Sequence, residues 1–284
     1  MSFSRHDSGM GADLRALGSQ VHPVFMLPPL AASVFGATLA TRDLSVPLAG
    51  LHLVAVFCAL YTAHVKDGYV DFYARGEDDD HPLSERGCER ALLLASVGFF
   101  LATIAIGLLV GPLAALLCLP GWLIGYFHAP QLDTNLLGAT LGYPAGIAFA
   151  LLGGHYVQTG TLTPIVLAFA VVFLVTLAGI KVVDDAKDYA YDSSIGKNTV
   201  AVVLGRERAH LVAYGLMGAG MLAVVAGALA GVFPRGAAFA PVAFGAVAVI
   251  AYTRDAKTAT MLLVRGSYLF LAVLVFAAWF RPLA

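Results

Sequence analysis

The chain reads as an all-α integral membrane protein, a bundle of about nine transmembrane helices with its N-terminus in the cytoplasm. Composition predicts this first. The sequence is 59% hydrophobic and 12% charged, where soluble domains carry about 25% charged residues, and its mean hydropathy is +0.81. Segment length predicts it second: runs close to the roughly 17 to 25 residues a spanning helix needs fall at about 24–41, 45–65, 91–110, 112–128, 135–153, 162–183, 210–231, 237–252 and 260–280. Charge distribution is the third observation, because cytoplasmic loops collect lysine and arginine. With the N-terminus inside, 14 basic residues fall on the inner side, and only Arg42, Arg235 and Arg281 fall outside.

Taken in order, residues 1–20 form a polar cytoplasmic segment without the apolar core and small-residue cleavage site of a secretory signal. Residues 21–284 read as one membrane domain, since no linker composition or low-complexity tract interrupts them. The longest hydrophilic interruptions, Lys66–Arg90 and Asp184–Arg208, follow the second and sixth spans and lie inside, whereas outer stretches such as Val110–Pro112 and Gln158–Thr163 are short connectors. The spans are rich in Gly and Ala, as in GLMGAGMLAVVAGALAG, and small residues let membrane helices approach closely. Such a bundle can enclose a cavity open to lipid, suited to a substrate with a hydrocarbon tail and a charged head.

Several classes of function fall away. A net charge of −1 and the lack of a basic stripe with interleaved aromatics argue against nucleic acid. Cys58, Cys88 and Cys118 have no CxxC spacing and read as free thiols. Walker, dinucleotide-binding and nucleophile-elbow motifs are missing.

The chemistry concentrates in two aspartate clusters, HVKDGYVD with Asp67 and Asp71, and VVDDAKDYAYDSSIGKNT with Asp184, Asp188 and Asp192. Four-residue spacing places carboxylates on one helical face, where they repel unless a cation sits between them. Carboxylates at a membrane edge are costly and therefore mark a functional site. Two such faces can hold Mg²⁺ ions, and through them a diphosphate.

The triple repeat followed by Gly196, Lys197 and Thr199 resembles the second signature of the UbiA superfamily of intramembrane prenyltransferases. The likeness extends over nearly the whole chain: nine spans, an inward N-terminus, and acidic motifs after the second and sixth spans. HPLSERG is similar to the RPLxxG-like loop of that family, with His81 in the Arg position, and YFHAPQLD matches a YSAPPLK-like signature in outline. The resemblance implies that Mg²⁺ joins Asp67, Asp71, Asp184, Asp188 and Asp192 to an isoprenyl diphosphate, that diphosphate departs, and that a lipophilic acceptor in the membrane captures the allylic carbocation. Lys187 and Lys197, with Lys66, Arg75 and Arg206 in support, are the basic candidates for the diphosphate. Tyr69, Phe72, Tyr126, Tyr143 and Tyr189 are candidates to face the cation, an attraction of about 0.5–2 kcal/mol per ring.

Four departures suggest a diverged, archaeal kind of subfamily. Ala63 and His64 stand where the first motif begins with Asn and often Asp, His22-Pro23 replaces an early Arg-Pro, and Asp133 replaces a lysine. Asp133 would repel a diphosphate unless it binds metal or takes a proton. The run Glu77–Asp80 is expected to be a solvated loop that could act as a lid, with Gly76 and Gly87 as hinges. Other readings stay open, including terpene cyclisation on the same fold, a cation-coupled transporter and a protein that binds diphosphate lipids without turnover. The sequence does not select an acceptor.

Overall fold

The computed structural model describes residues 2–40 and 43–281; Arg42, counted above among the outer arginines, lies outside the described residues. Twelve α-helices follow in order: α1 (Met10–Gly18), α2 (Pro23–Ala40), α3 (Val46–Tyr69), α4 (Glu85–Leu109), α5 (Pro112–Phe127), α6 (Leu136–Thr159), α7 (Pro164–Lys187), α8 (Tyr189–Ser194), α9 (Val200–Leu204), α10 (Arg206–Leu229), α11 (Phe239–Tyr252) and α12 (Ala256–Phe280). Among the described residues, nine helical segments are long and apolar enough to cross a bilayer. The second and sixth run past their expected ends, to Arg75 and Lys187. Hydropathy marks where a chain leaves lipid, but backbone hydrogen bonding continues into the polar residues.

Local chemistry sets the helix starts. Pro112 and Pro164 begin α5 and α7, where their missing N–H leaves no bond unmade. Side chains of Ser84, Asn135, Thr199 and Asp255 cap α4, α6, α9 and α12 by accepting from backbone N–H groups of the first turn. Small residues then bring the helices together. A Cβ on Gly154 of α6 would collide with the Ser33 carbonyl of α2, and one on Gly220 of α10 with the Thr176 hydroxyl of α7. Phe35, Phe169, Phe173, Phe233, Phe244 and Phe270 run as linked aromatic contacts through the core of the α2, α6, α7 and α10–α12 side. A separate core of Phe99, Ile106 and Cys118 lies among α3, α4 and α5.

The N-terminal segment is folded onto the inner end of α3 and α4. Ser4 bridges Leu83, the Arg5 N–H donates to the Pro82 carbonyl at 2.9 Å, and Tyr61 of α3 donates to the Leu17 carbonyl at 2.8 Å. Asp13 accepts from the Ser2 hydroxyl and from the N–H groups of Phe3 and Ser4. These bonds, the Ser4 N–H foremost, hold its carboxyl below the ordinary aspartate range. Arg5 and His6 reach Asp80 at 3.2 and 3.0 Å. The acidic loop is thus anchored at Asp80, while its other acids remain exposed.

Candidate active site

A cavity of about 620 Å³ opens among α2, α3, α5, α6 and α7. Carboxylates of both acidic motifs face this one space: Asp67, Asp71 and Asp184 all contribute to its lining. Its other walls are mostly apolar, with Phe25, Phe99, Phe149, Leu60 and Ile180 among them. A charged head and a hydrocarbon tail would each find matching surroundings in this one space.

In the first motif, Asp67 lies in the last turn of α3, and Asp71 in a wider π-helical turn that continues α3 over Val70–Arg75. Such turns recur at functional sites because they shift side-chain register without ending the helix. His128, in a second π-helical turn that follows α5 (His128–Leu132), approaches Asp67 at 3.9 Å. His64 and His22, two of the departures from the family pattern, stack at 4.7 Å, and both line the cavity. His81 is buried beside Gly68, with Nδ1 3.0 Å from the Leu83 carbonyl oxygen.

The second motif does not keep its three aspartates on one face. The helix breaks at Asp188 (φ −97°, ψ 14°), between α7 and α8. Asp184 stays on α7 and lines the cavity, accepting from Lys181 at 3.1 Å and Lys187 at 3.2 Å. Asp188 is half exposed beside Lys187 at 3.3 Å. Asp192 is buried and pairs with Lys197 at 3.4 Å. Burial pushes the Asp192 carboxyl above the ordinary range, and the Lys197 ammonium pulls against that shift. Neither Asp188 nor Asp192 lines the cavity.

The environment of Asp133 removes the conflict expected from the sequence. Arg75 lies 2.7 Å from its Oδ2, and Lys197 lies 3.5 Å from the same oxygen. Arg75 also reaches Asp71 at 3.1 Å. An unbroken line of charges, Asp71–Arg75–Asp133–Lys197–Asp192, therefore joins the first motif, the turn after α5 and the second motif. The Asn198 N–H, donating to the Thr134 carbonyl at 3.0 Å, fastens the same two loops. Asp133 thus faces, through Oδ2, cations that the neighbouring motifs supply, while its Oδ1 is buried without a hydrogen-bond partner.

Other candidates fall in different places. Lys66 lies 5.8 Å from the ring centre of Tyr69 and 5.5 Å from that of Tyr126, and Tyr189 lies under Arg206 at 4.9 Å; none of the three tyrosines, nor Lys66, lines the cavity. Phe72 likewise packs elsewhere, under Arg5 at 4.3 Å. Tyr143 does line the cavity, and local backbone chemistry explains its pose. Pro28 and Pro29 inside α2 lack the N–H groups that would bond the carbonyls four residues back, those of Val24 and Phe25. The hydroxyl of Tyr268 takes the first carbonyl, and that of Tyr143 takes the second at 2.9 Å. Sequence reasoning missed Phe25, Phe149 and Lys181, all of which line the cavity. Only the positive-inside count drew attention to Lys181, where it looked like any other inner cation.

The donor chemistry fits Mg²⁺. Asp67, Asp71 and Asp184 offer the hard carboxylate oxygens that this ion prefers. No three His, Cys, Asp or Glu side chains among the described residues converge on one point. That arrangement suits an ion which commonly uses one or two carboxylates and completes its shell with waters and substrate phosphates.

Comparison with known proteins follows the same lines. No curated protein sequence matches significantly. The fold matches a structure concerned with digeranylgeranylglyceryl phosphate synthase in membranes, with a TM-score of 0.73 at 12% identity over 95% of this chain and 99% of the other. A UbiA homologue from Archaeoglobus fulgidus bound to GPP and Mg2+ aligns with a TM-score of 0.68 at 16% identity, covering 94% and 98% of the two chains. The apo structure of a UbiA homologue from Aeropyrum pernix K1 gives 0.68 at 18% identity, covering 89% and 96%. The profile of the UbiA prenyltransferase family matches residues 26–274, nearly the whole membrane domain, and the chain belongs to that family.

Proposed function

We infer that this protein transfers an isoprenyl group from an isoprenyl diphosphate to a lipophilic acceptor within the membrane, in a Mg²⁺-dependent reaction at the cytoplasmic mouth of its bundle. The observation that carries the reading is the meeting of Asp67, Asp71 and Asp184, from two motifs far apart in sequence, in the lining of one mostly apolar cavity. The Archaeoglobus fulgidus homologue with GPP and Mg2+ supports the donor class and the ion. The lysine and arginine bias supports the inner side for this mouth.

Asp67 and Asp71 from the first motif and Asp184 from the second would hold Mg²⁺ between them and the substrate phosphates, while Asp188 and Asp192 lie outside the cavity lining. Mg²⁺ held by these residues would supply Lewis-acid neutralisation of the charge on the departing diphosphate. Apolar walls seat the tail and exclude water from the cationic carbon. Phe25, Phe99, Tyr143 and Phe149 present aromatic rings to this space, and each suitably placed ring attracts a cation by about 0.5–2 kcal/mol. Once the carbon–oxygen bond to diphosphate has broken, with its electron pair leaving on the diphosphate, the nucleophilic atom of the acceptor forms the new bond to the allylic cation and gives up its proton to the released diphosphate.

The test is diphosphate release from radiolabelled geranylgeranyl diphosphate in membranes carrying the protein, with Mg²⁺ and a native lipid extract. Release together with a labelled lipid product, both lost in Asp184→Asn, is the expected outcome. Folded protein that releases no diphosphate from donors of any chain length would sink the transferase reading.

A further inference from the structure

The charge of the cavity is one-sided. Asp67, Asp71, Asp78, Asp80 and Asp184 line it, and among its described lining residues Lys181 is the single lysine or arginine. Other cations near the motifs are engaged elsewhere: Arg75 with Asp71 and Asp133, Lys197 with Asp133 and Asp192, and Lys187 with Asp184 and Asp188. None of these three lines the cavity.

Lys181 lies one turn before Asp184 and Asp185 on α7. Its ammonium donates to Asp184 Oδ2 at 3.1 Å and to Asp185 Oδ1 at 2.5 Å. An ammonium has three donors, so one remains for a group inside the cavity. Asp184 also has a second cation, Lys187, on its other carboxylate oxygen. Lys181 can therefore lean toward a phosphate without stranding Asp184.

We propose that Lys181 binds the diphosphate of the substrate directly and is the cation through which this protein separates a diphosphate donor from its uncharged alcohol. This rests on the prenyltransferase reading above. The two aspartates aim the ammonium and the third donor meets a phosphate oxygen, a charge-assisted bond that a lysine supplies as a point charge.

The test measures binding by purified protein with Mg²⁺, using geranylgeranyl S-thiolodiphosphate, which is cleaved poorly, and geranylgeraniol as its uncharged counterpart. Lys181→Met should weaken thiolodiphosphate binding by about 10- to 100-fold, the loss expected for one charge-assisted hydrogen bond, and leave the alcohol unchanged. Lys181→Arg should stay within a few-fold of native. Because Lys181→Met leaves Asp185 uncompensated, the balanced Lys181→Met/Asp185→Asn variant is measured beside it, with thermal unfolding to establish that it folds. In the native protein, pyrophosphate with Mg²⁺ should also shield Lys181 from an amine-reactive label. Unchanged thiolodiphosphate affinity in the folded double variant, or no shielding, would overturn the proposal while native diphosphate release leaves the transferase reading standing. A native protein that binds no thiolodiphosphate would overturn both.

Discussion

The two acidic motifs share a four-residue spacing but differ in three dimensions. Asp67 and Asp71 lie on a helix that passes without a break from α3 into a π-helical turn, and both reach the cavity. Asp184, Asp188 and Asp192 straddle a break at Asp188, so one lines the cavity, one is half exposed and one is buried against Lys197. The first motif presents carboxylates to the cavity, whereas the second supplies one carboxylate and one lysine and uses its remaining charges to fasten loops. A spacing rule holds only while the helix that carries it stays continuous.

The largest effect should come from the residues the two motifs bring to the shared cavity. Asp67→Asn and Asp184→Asn should each lower turnover by about 10²–10³, the usual loss when preorganised charge stabilisation is removed. Steady-state diphosphate release checks this, and near-native turnover in either variant would break the pairing of the motifs.

Next in size is the line of charges that joins them. Asp133→Asn leaves Arg75 and Lys197 short of a partner in a site where their side chains are 14% and 15% exposed. Because Arg75 keeps Asp71 and Lys197 keeps Asp192, the loss is that of a charge-assisted hydrogen bond, about 1.5–3 kcal/mol, read as a lower unfolding midpoint in detergent. Asp133→Lys should be worse still, because it sets three cations together. A Lys variant at least as stable as native would show that the line of charges does not hold the motifs.

Tyr143→Phe is a smaller probe. It removes the donor from the Phe25 carbonyl, which Pro29 has already deprived of its helical partner, and a lost hydrogen bond costs about 0.5–1.5 kcal/mol. Thermal unfolding should shift while diphosphate affinity holds.

Much of this was legible in the residues. The apolar runs placed the nine spans, and the aspartate spacing picked out Asp67, Asp71, Asp184, Asp188 and Asp192, of which the first three line the cavity. Pairings between distant segments were not legible, because nothing local in the sequence tells Asp133 that Arg75 and Lys197 will surround it. Lys181 was hidden for a related reason: a lysine at the inner end of a span is what topology alone demands, and only the cavity separates it from Lys66, which lies near Tyr69 and Tyr126 instead. The three tyrosines outside the cavity were chosen for nearness in sequence, which on a helix says little about direction.

The smallest effect concerns the N-terminal segment. Hydrogen bonds depress the Asp13 carboxyl in the folded state, so its contribution is fully present above the ordinary aspartate value of about 3.9 and is lost as pH falls through the lower folded value. The protection of Phe3 and Ser4 from hydrogen exchange, relative to the intrinsic rate at each pH, should fall over that window, and Asp13→Asn should lower it already at neutral pH. Protection unaltered by either change would detach the segment from this anchor.

The central claim is that both motifs build one site, and a double-mutant cycle on turnover tests it most directly. If Asp67 and Asp184 act as a unit, Asp67→Asn/Asp184→Asn should be scarcely slower than the worse single variant, since residues that work together lose their effect together. If the two losses multiply instead, the aspartates act independently, and the account of a single shared site is contradicted.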